Sequence, residues 1–417
     1  MTTRLGLLPM AVMLPFICGM AGPVLAGNML EPNGALSVNT GEFVFKDGKL
    51  GVHVDTPTVT LHINGQLLVK GEETHLPATG KVLTSTGTDG LAAWMEPVRS
   101  GFRNRLINGG MDIWQRGMSF SAGGYAADRW QAEATGNTLG FSAQRVSVSD
   151  ALPFRYAMSA SAAGTNHVGI RQQIEYTNFH DLAGKTVTLS FWVKALYDNT
   201  ESATVRVWNR QSATEDTPLV SDIYNGTESA GMSISTTGWT RVSSAIDIAS
   251  DTRALAIGIV LGGANQSSSD ATRGFAVTGV QLEELDFAGE FEYRPYQTEL
   301  QLCQRYYEKS YAPDTAPGSV DAANVFETGA ISNGTDTVLA LPTVNYKVPK
   351  RTSPTLAFYA PAGTSGACAW YSDFSTSQEL ATSAARSGVN GFMARQTADN
   401  TANDHMVCHY TADAEFN

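Results

Sequence analysis

Between residues 139 and 284 the chain keeps returning to one pattern: a stretch alternating between apolar and polar residues, then a cluster of Gly, Asn, Asp and Ser. A period of two places successive side chains on opposite faces of a strand. In TVTLSFWVKA (186–195), Val187, Leu189, Phe191 and Val193 take one face, and Thr188, Ser190, Trp192 and Lys194 take the other. Comparable stretches lie at 104–115, 139–147, 154–161, 167–176, 203–210, 239–248, 253–261 and 274–284. Strands this dense, with no βαβ spacing, predict a double-sheet jelly roll over 101–300.

The composition agrees. Only 16% of the 417 residues are charged and 40 are glycine, which suits strands and turns better than helix surfaces. The length predicts more than one domain. Lys and Arg number 28 against 40 Asp and Glu, a net charge of -12, so no basic surface is available for nucleic acid. Over 35–100, KDGK and INGQ are hairpin signals between alternating runs, and 76–98 reads as a Gly/Thr-rich connector ending in Trp94. So small a β segment gains a core by pairing with other copies of itself. The segment 1–34 is apolar but broken by Pro9, Pro15 and Pro23, which suits docking into a partner better than a signal peptide or a membrane helix. The last segment, 301–417, reads as a small C-terminal β-sandwich.

The chemistry-bearing residues are sparse. Cys18, Cys303, Cys368 and Cys408 show no zinc-ligand spacing. Cys368 and Cys408 fall in one predicted domain where they could pair, but scattered free thiols, and hence assembly in a reducing compartment, are the main expectation. No GxSxG, HExxH or P-loop occurs, and no carboxylate pair stands out for glycoside cleavage, so no enzymatic activity is expected.

Trp192 shares its face with Lys194, and in ATVRVWNR (203–210) Trp208 shares its face with Arg206. If these two strands pair, the four residues line one outward surface beside the small residues Ala254, Ala256, Gly258 and Val260. An indole face matches the axial C–H groups of a sugar ring, and Arg and Lys donate charge-assisted hydrogen bonds. Burial of both rings under a loop or a neighbour is the competing expectation. Trp114, Trp130 and Trp239 lie in turn-rich signature segments and are expected in the core, as is Trp370, beside Tyr371, the second aromatic candidate.

NRLINGGMDIWQRG (104–117), YAADRW (125–130), TLSFWVKA (188–195), TGWTRVS (237–243) and GVQLEE (279–284) together resemble the jelly-roll module of phage tail proteins, which is similar to carbohydrate-binding modules. FEYRPYQTELQLCQRYYEKSY (291–311) and the ending HYTADAEF (409–416) resemble the junction and small C-terminal β domain of the same proteins. LHING and GKVLTSTGTDGLAAW resemble repeats in the shafts of trimeric phage fibres. The resemblance implies an all-β fibre or tail protein of the virion, assembled in the host cytoplasm as a homotrimer. Its 1–34 segment would dock to other virion proteins, its 35–100 segment would form a shaft, and its jelly roll would bind a host-surface glycan. It also raises a structural calcium ion near the opening and closing strands, with Asp112 and Glu283 at the matching positions, although Gly279 stands where an aspartate is often found. Two other readings stay open: a structural head-fibre, collar or baseplate component, and a secreted bacterial carbohydrate-binding protein cleaved after Ala26.

Overall fold

The structure, a computed structural model, describes residues 101–416 except 137–139, 149–151, 164, 198–203, 220–225, 262–271, 328–337, 341–342, 373–375 and 398–404, together with short strands between 27 and 95. Two compact units are present, Met1–Arg99 and Ser100–Asn417.

In the first unit, Phe43–Lys46 and Lys49–Val52 form the hairpin that KDGK predicts, with Lys46 opposite Lys49. Lys49–Val52 then pairs in parallel with Leu61–Ile63, so this region is not a plain run of hairpins. Val82–Ser85 and Ala92–Met95 pair antiparallel where the sequence suggested only a connector. The docking role of 1–34 and the side chain of Trp94 lie outside the described residues.

The second unit is all-β but for short helices. Its strands run β1 (Ser119–Phe120), β2 (Gly124–Tyr125), β3 (Gln131–Gly136), β4 (Ser142–Ser147), β5 (Tyr156–Ala163), β6 (Thr165–Ile174), β7 (Thr186–Ala195), β8 (Thr204–Ser212), β9 (Thr227–Glu228), β10 (Met232–Ser233), β11 (Thr240–Asp247), β12 (Ala254–Leu261) and β13 (Thr272–Glu283). One sheet has the order β11-β7-β13-β5-β4-β1; the other has β9-β8-β12-β6-β3-β2, with β10 also on β8. The inward faces meet as the alternation requires. Val187, Leu189, Phe191 and Val193 of β7 pack in one core with Leu255, Ile257 and Ile259 of β12.

The predicted strand at 104–115 is instead an irregular, largely buried segment. Two asparagines supply the reason. Asn104 Oδ1 accepts from the amides of Leu106 and Leu282, and its Nδ2 donates to Val280 O. Asn108, at φ 57°, exchanges bonds with Ile113 through its side-chain amide. Side chains thus take bonds that a ladder would otherwise make. A bulge also interrupts β13. Ser190 faces Gln281 while Trp192 faces Thr278, leaving Gly279 and Val280 opposite Phe191. Gly279 has φ +61°, and the Phe154 ring fills the space a Cβ would need. That bulge explains the glycine where the resemblance led us to look for an aspartate.

After α1 (Tyr296–Gln304) come β14 (Tyr307–Lys309), β15 (Phe326–Glu327), β16 (Val338–Ala340), β17 (Val344–Asn345), β18 (Thr355–Tyr359), β19 (Ala367–Ser372), β20 (Thr376–Ser387), β21 (Gly391–Thr397) and β22 (His405–Asp413). The last strand is the organiser: β22 pairs with β14, β15, β18 and β19. Cys368 and Cys408, on the paired strands β19 and β22, form a disulfide with a Cα separation of 4.9 Å. This corrects the expectation of scattered thiols: facing positions on paired strands bring the two sulfurs together, a register the sequence spacing does not reveal. Cys303 is free and buried.

The jelly roll and the C-terminal sheet meet along a seam of buried charge. Arg129 forms an ion pair with Glu415, lies 3.5 Å over the Tyr306 ring, and donates to Gln173 O. Arg116 stacks at 3.7 Å on Tyr307 and pairs with Asp413 at 3.0 Å. Lys309 Nζ is caged by the carbonyls of Gln115, Pro313 and Thr315 at 2.6, 2.8 and 2.5 Å. Arg305 grips Glu175 with two bonds of 2.8 and 2.6 Å. Arg116, Asp128 and Arg129 belong to the WQRG and YAADRW motifs, so those motifs serve the seam.

Candidate functional site

The four residues expected on one outward surface are divided between two. β7 and β8 do not pair: β7 lies in the first sheet and β8 in the second. Consecutive strands of a jelly roll cross from sheet to sheet, and that crossing defeats the inference from chain adjacency. Trp192 and Lys194 therefore lie on the outer face of the first sheet, Trp208 and Arg206 on the outer face of the second.

The small-residue trough does form on the second sheet. Trp208 and Arg171 flank Gly258 from the two neighbouring strands, and Arg206 stands opposite Val260. It is filled, however. Leu219 packs on Ala254 and Ala256, with its amide and carbonyl held by Gln173 and Arg171. Trp208 packs on Val260 and is 7% exposed, while Arg206 pairs with Glu228. Trp192 is half-buried, with Arg241 and Thr278 as its cross-strand neighbours. Trp114, Trp130 and Trp370 are buried as expected, but Trp239 is only half-buried.

An open cleft of ≈170 Å³ lies where the opening segment meets the chain leaving β13. Several waters, at ~30 Å³ each, would fit this volume. Gly110 leaves part of the space, since a Cβ there would stand 3.3 Å from Asp112 Oδ2 and 3.9 Å from the Phe291 ring, while Gly109 lets the segment approach Val280 O closely. Phe154, Phe291 and Tyr293 pack together with centroid separations of 5.0 to 5.8 Å. Tyr293, 57% exposed, and Tyr296, 41% exposed, reach the lining from the junction segment. The Tyr293 hydroxyl is fixed by a 2.9 Å bond to Pro153 O.

Within the cleft, Asp112 Oδ1 is buried and meets no donor from the chain. Burial pushes this carboxyl above its ordinary range; Arg155 pulls it back and Glu299 adds to the rise. Rings that offer a face, an unsatisfied acceptor and an exposed guanidinium at Arg155 make a surface suited to a polyol. Sequence reasoning named Asp112 for a different purpose. It passed over Phe291, Tyr293 and Tyr296 because their segment reads as a linker, although three aromatic residues within FEYRPY were the available signal.

The donor set does not fit calcium, which takes six to eight oxygens. The two carboxylate oxygens of Glu283 are bound to Arg103 Nη1 at 3.0 Å and to the Gly289 amide at 2.7 Å. Oxygens around the opening segment are occupied by Arg294, which binds the carbonyls of Asn104 and Leu106 and faces Glu292 and Glu299 at 3.4 Å. Among the described residues, no group of three or more His, Cys, Asp or Glu side chains is placed to hold a metal. Asp112 and Glu283 thus serve different surroundings rather than one ion.

No family model matches the chain, and no curated protein matches it. Solved structures with partial similarity include the enzymatically active domain of bacteriophage CBA120 tailspike protein 4, at 15% identity and a TM-score of 0.27. The match covers 43% of this chain and only 21% of the tailspike. The CBM22-1 xylan-binding domain from Paenibacillus barcinonensis Xyn10C matches 46% of this chain over 100% of its own length, at 12% identity and a TM-score of 0.29. TmCBM61, solved with β-1,4-galactotriose, matches 44% over 99% of its own length, at 13% identity and a TM-score of 0.28. Likenesses this loose carry no argument about what the chain binds.

Proposed function

We propose that this chain is a homotrimeric fibre or tail protein of a phage virion that attaches to a host-surface glycan, with the Asp112 cleft as the contact. The observation that carries glycan binding is the cleft itself: exposed Tyr293 and Tyr296 beside a buried carboxylate oxygen that lacks a donor. The virion setting is supported by the order of tail-protein motifs along 104–416. Weak saccharide sites gain strength when three are linked, which gives a trimer its use. Trp192 and Lys194, on the outer face of the first sheet, are secondary contacts in this reading. Trp208 and Arg206 are left to packing and an ion pair.

The test is binding of the labelled full-length chain to host cells and to purified host polysaccharide. Tyr293→Ala with Tyr296→Ala should weaken binding about tenfold or more, equivalent to about 1.4 kcal/mol per site. Light scattering should give three times the chain mass. Unchanged cell binding by the double variant would sink the cleft assignment, and a monomeric mass would sink the fibre reading.

A further inference from the structure

Resting on the reading of the Asp112 cleft as a saccharide site, we infer that it selects neutral or amine-bearing sugars and rejects uronic and phosphorylated ones. Three carboxylates and two arginines line it: Asp112, Glu292, Glu299, Arg155 and Arg294. Two of the carboxylates are already engaged. Glu292 accepts from the Asn104 amide at 2.8 Å and faces Arg294, while Glu299 accepts from the Asn108 amide and faces the same guanidinium. Arg294 is bound in turn to the carbonyls of Asn104 and Leu106 through Nη2 and Nη1, and its charge is shared between Glu292 and Glu299, so it is held in place even though its Nε is buried without an acceptor.

The groups left to meet a ligand are Asp112 and Arg155. Asp112 Oδ1 is buried without a donor, a condition that stays unfavourable for a carboxylate until a donor arrives. A hydroxyl or an ammonium supplies that donor, whereas a carboxylate or phosphate cannot. An anionic sugar would also enter against the surplus of carboxylates around it. Arg155, exposed at the lining, donates to a second oxygen. Acceptor and donor together then read two hydroxyls of one ring, while Tyr293 and Tyr296 offer it a face.

The test uses the full chain on immobilised oligosaccharides that differ only in charge: neutral hexose, glucosamine-bearing, glucuronate-bearing and phosphorylated. Neutral and amine-bearing ligands should bind about tenfold tighter or more than the two anionic ones. Asp112→Asn, with an unchanged melting curve, should reduce that ratio to within about threefold by removing the charge but not the shape. Competition on the wild-type chain by free methyl glucosaminide against methyl glucuronide gives the same answer without a variant. Anionic ligands binding as tightly as neutral ones, or a ratio unmoved in Asp112→Asn, would overturn the selectivity. If Tyr293→Ala with Tyr296→Ala still abolishes binding in that case, the glycan site itself stands. If the tyrosine variant binds every ligand like the wild type, both readings fall.

Discussion

The jelly-roll core and the seam to the C-terminal sheet are both buried, yet the seam adds buried charge to its small apolar cluster of Ile107, Ile113, Cys303, Tyr306 and Phe416. The core is aliphatic and aromatic throughout, with the inner faces of β7 and β12 interdigitating. The seam buries Arg129 against Glu415, sets Arg116 against Asp413 and Tyr307, and cages Lys309 among carbonyls. Apolar contacts are non-directional and tolerate sliding. A buried charge accepts only the geometry that satisfies it. The core therefore supplies cohesion, and the seam fixes one orientation between two β structures that could otherwise pack in several ways.

The largest expected effect comes from halving a seam pair. Arg129→Met leaves Glu415 buried beside an incomplete partner and should cost about 3–5 kcal/mol in urea unfolding. A cost below about 1 kcal/mol would mean that water reaches the seam. In the core, Leu189→Ala should cost about 3 kcal/mol through lost transfer energy and a residual cavity. The two kinds of burial separate in the double variant Arg129→Met with Glu415→Leu, which should recover most of the single-variant loss because no charge is left stranded. If the double variant is as unstable as Arg129→Met alone, the pair is not what holds the seam.

The smallest effect is a pH dependence that only the seam has. Burial works against the Glu175 carboxylate, but Arg305 and the Tyr306 hydroxyl outweigh it and hold its pKa below the ordinary value of 4.5. A carboxylate depressed in the fold gives stability above its unfolded pKa and loses it as pH falls through the folded value. The melting temperature should therefore drop below pH 4.5, and Arg305→Gln should flatten that drop. Asp128 works in the opposite sense, since burial raises its pKa despite Arg116, so protonation there relieves a cost. Equal acid sensitivity in Arg305→Gln and wild type would remove Glu175 from the account.

The sandwich was legible in the sequence because period-two alternation is local information, apolar against polar in β7 and large against small in the wholly buried β12. What was not legible depends on non-local pairing. TVTLSFWVKA and ATVRVWNR are neighbours in the chain and strangers in the fold, so Trp192 and Trp208 could not be joined correctly from spacing alone. The opening segment looked like a strand because its apolar content is that of one. Asn104 and Asn108 reveal otherwise only through the particular amides they meet. Of the cleft, the sequence marks Asp112 by its place in the opening segment, whereas Tyr293 and Tyr296 lie in a polar junction with no strand alternation to give them a face. The Cys368–Cys408 pairing likewise follows from strand register rather than from sequence distance.

The ion pair between Arg129 and Glu415 spans 286 residues of chain. At ribosomal speeds of about 5–20 residues per second, Glu415 is made roughly 15–60 s after Arg129. The jelly roll can close its own core during that wait, but the surface destined for the seam must face water. A greasy surface would spend that time seeking other nascent chains. A face where Arg116, Asp128 and Arg129 interrupt the apolar Ile107 and Ile113 stays better hydrated until its proper cover arrives, so the charge that fixes the seam in the finished molecule also makes the unfinished one less adhesive.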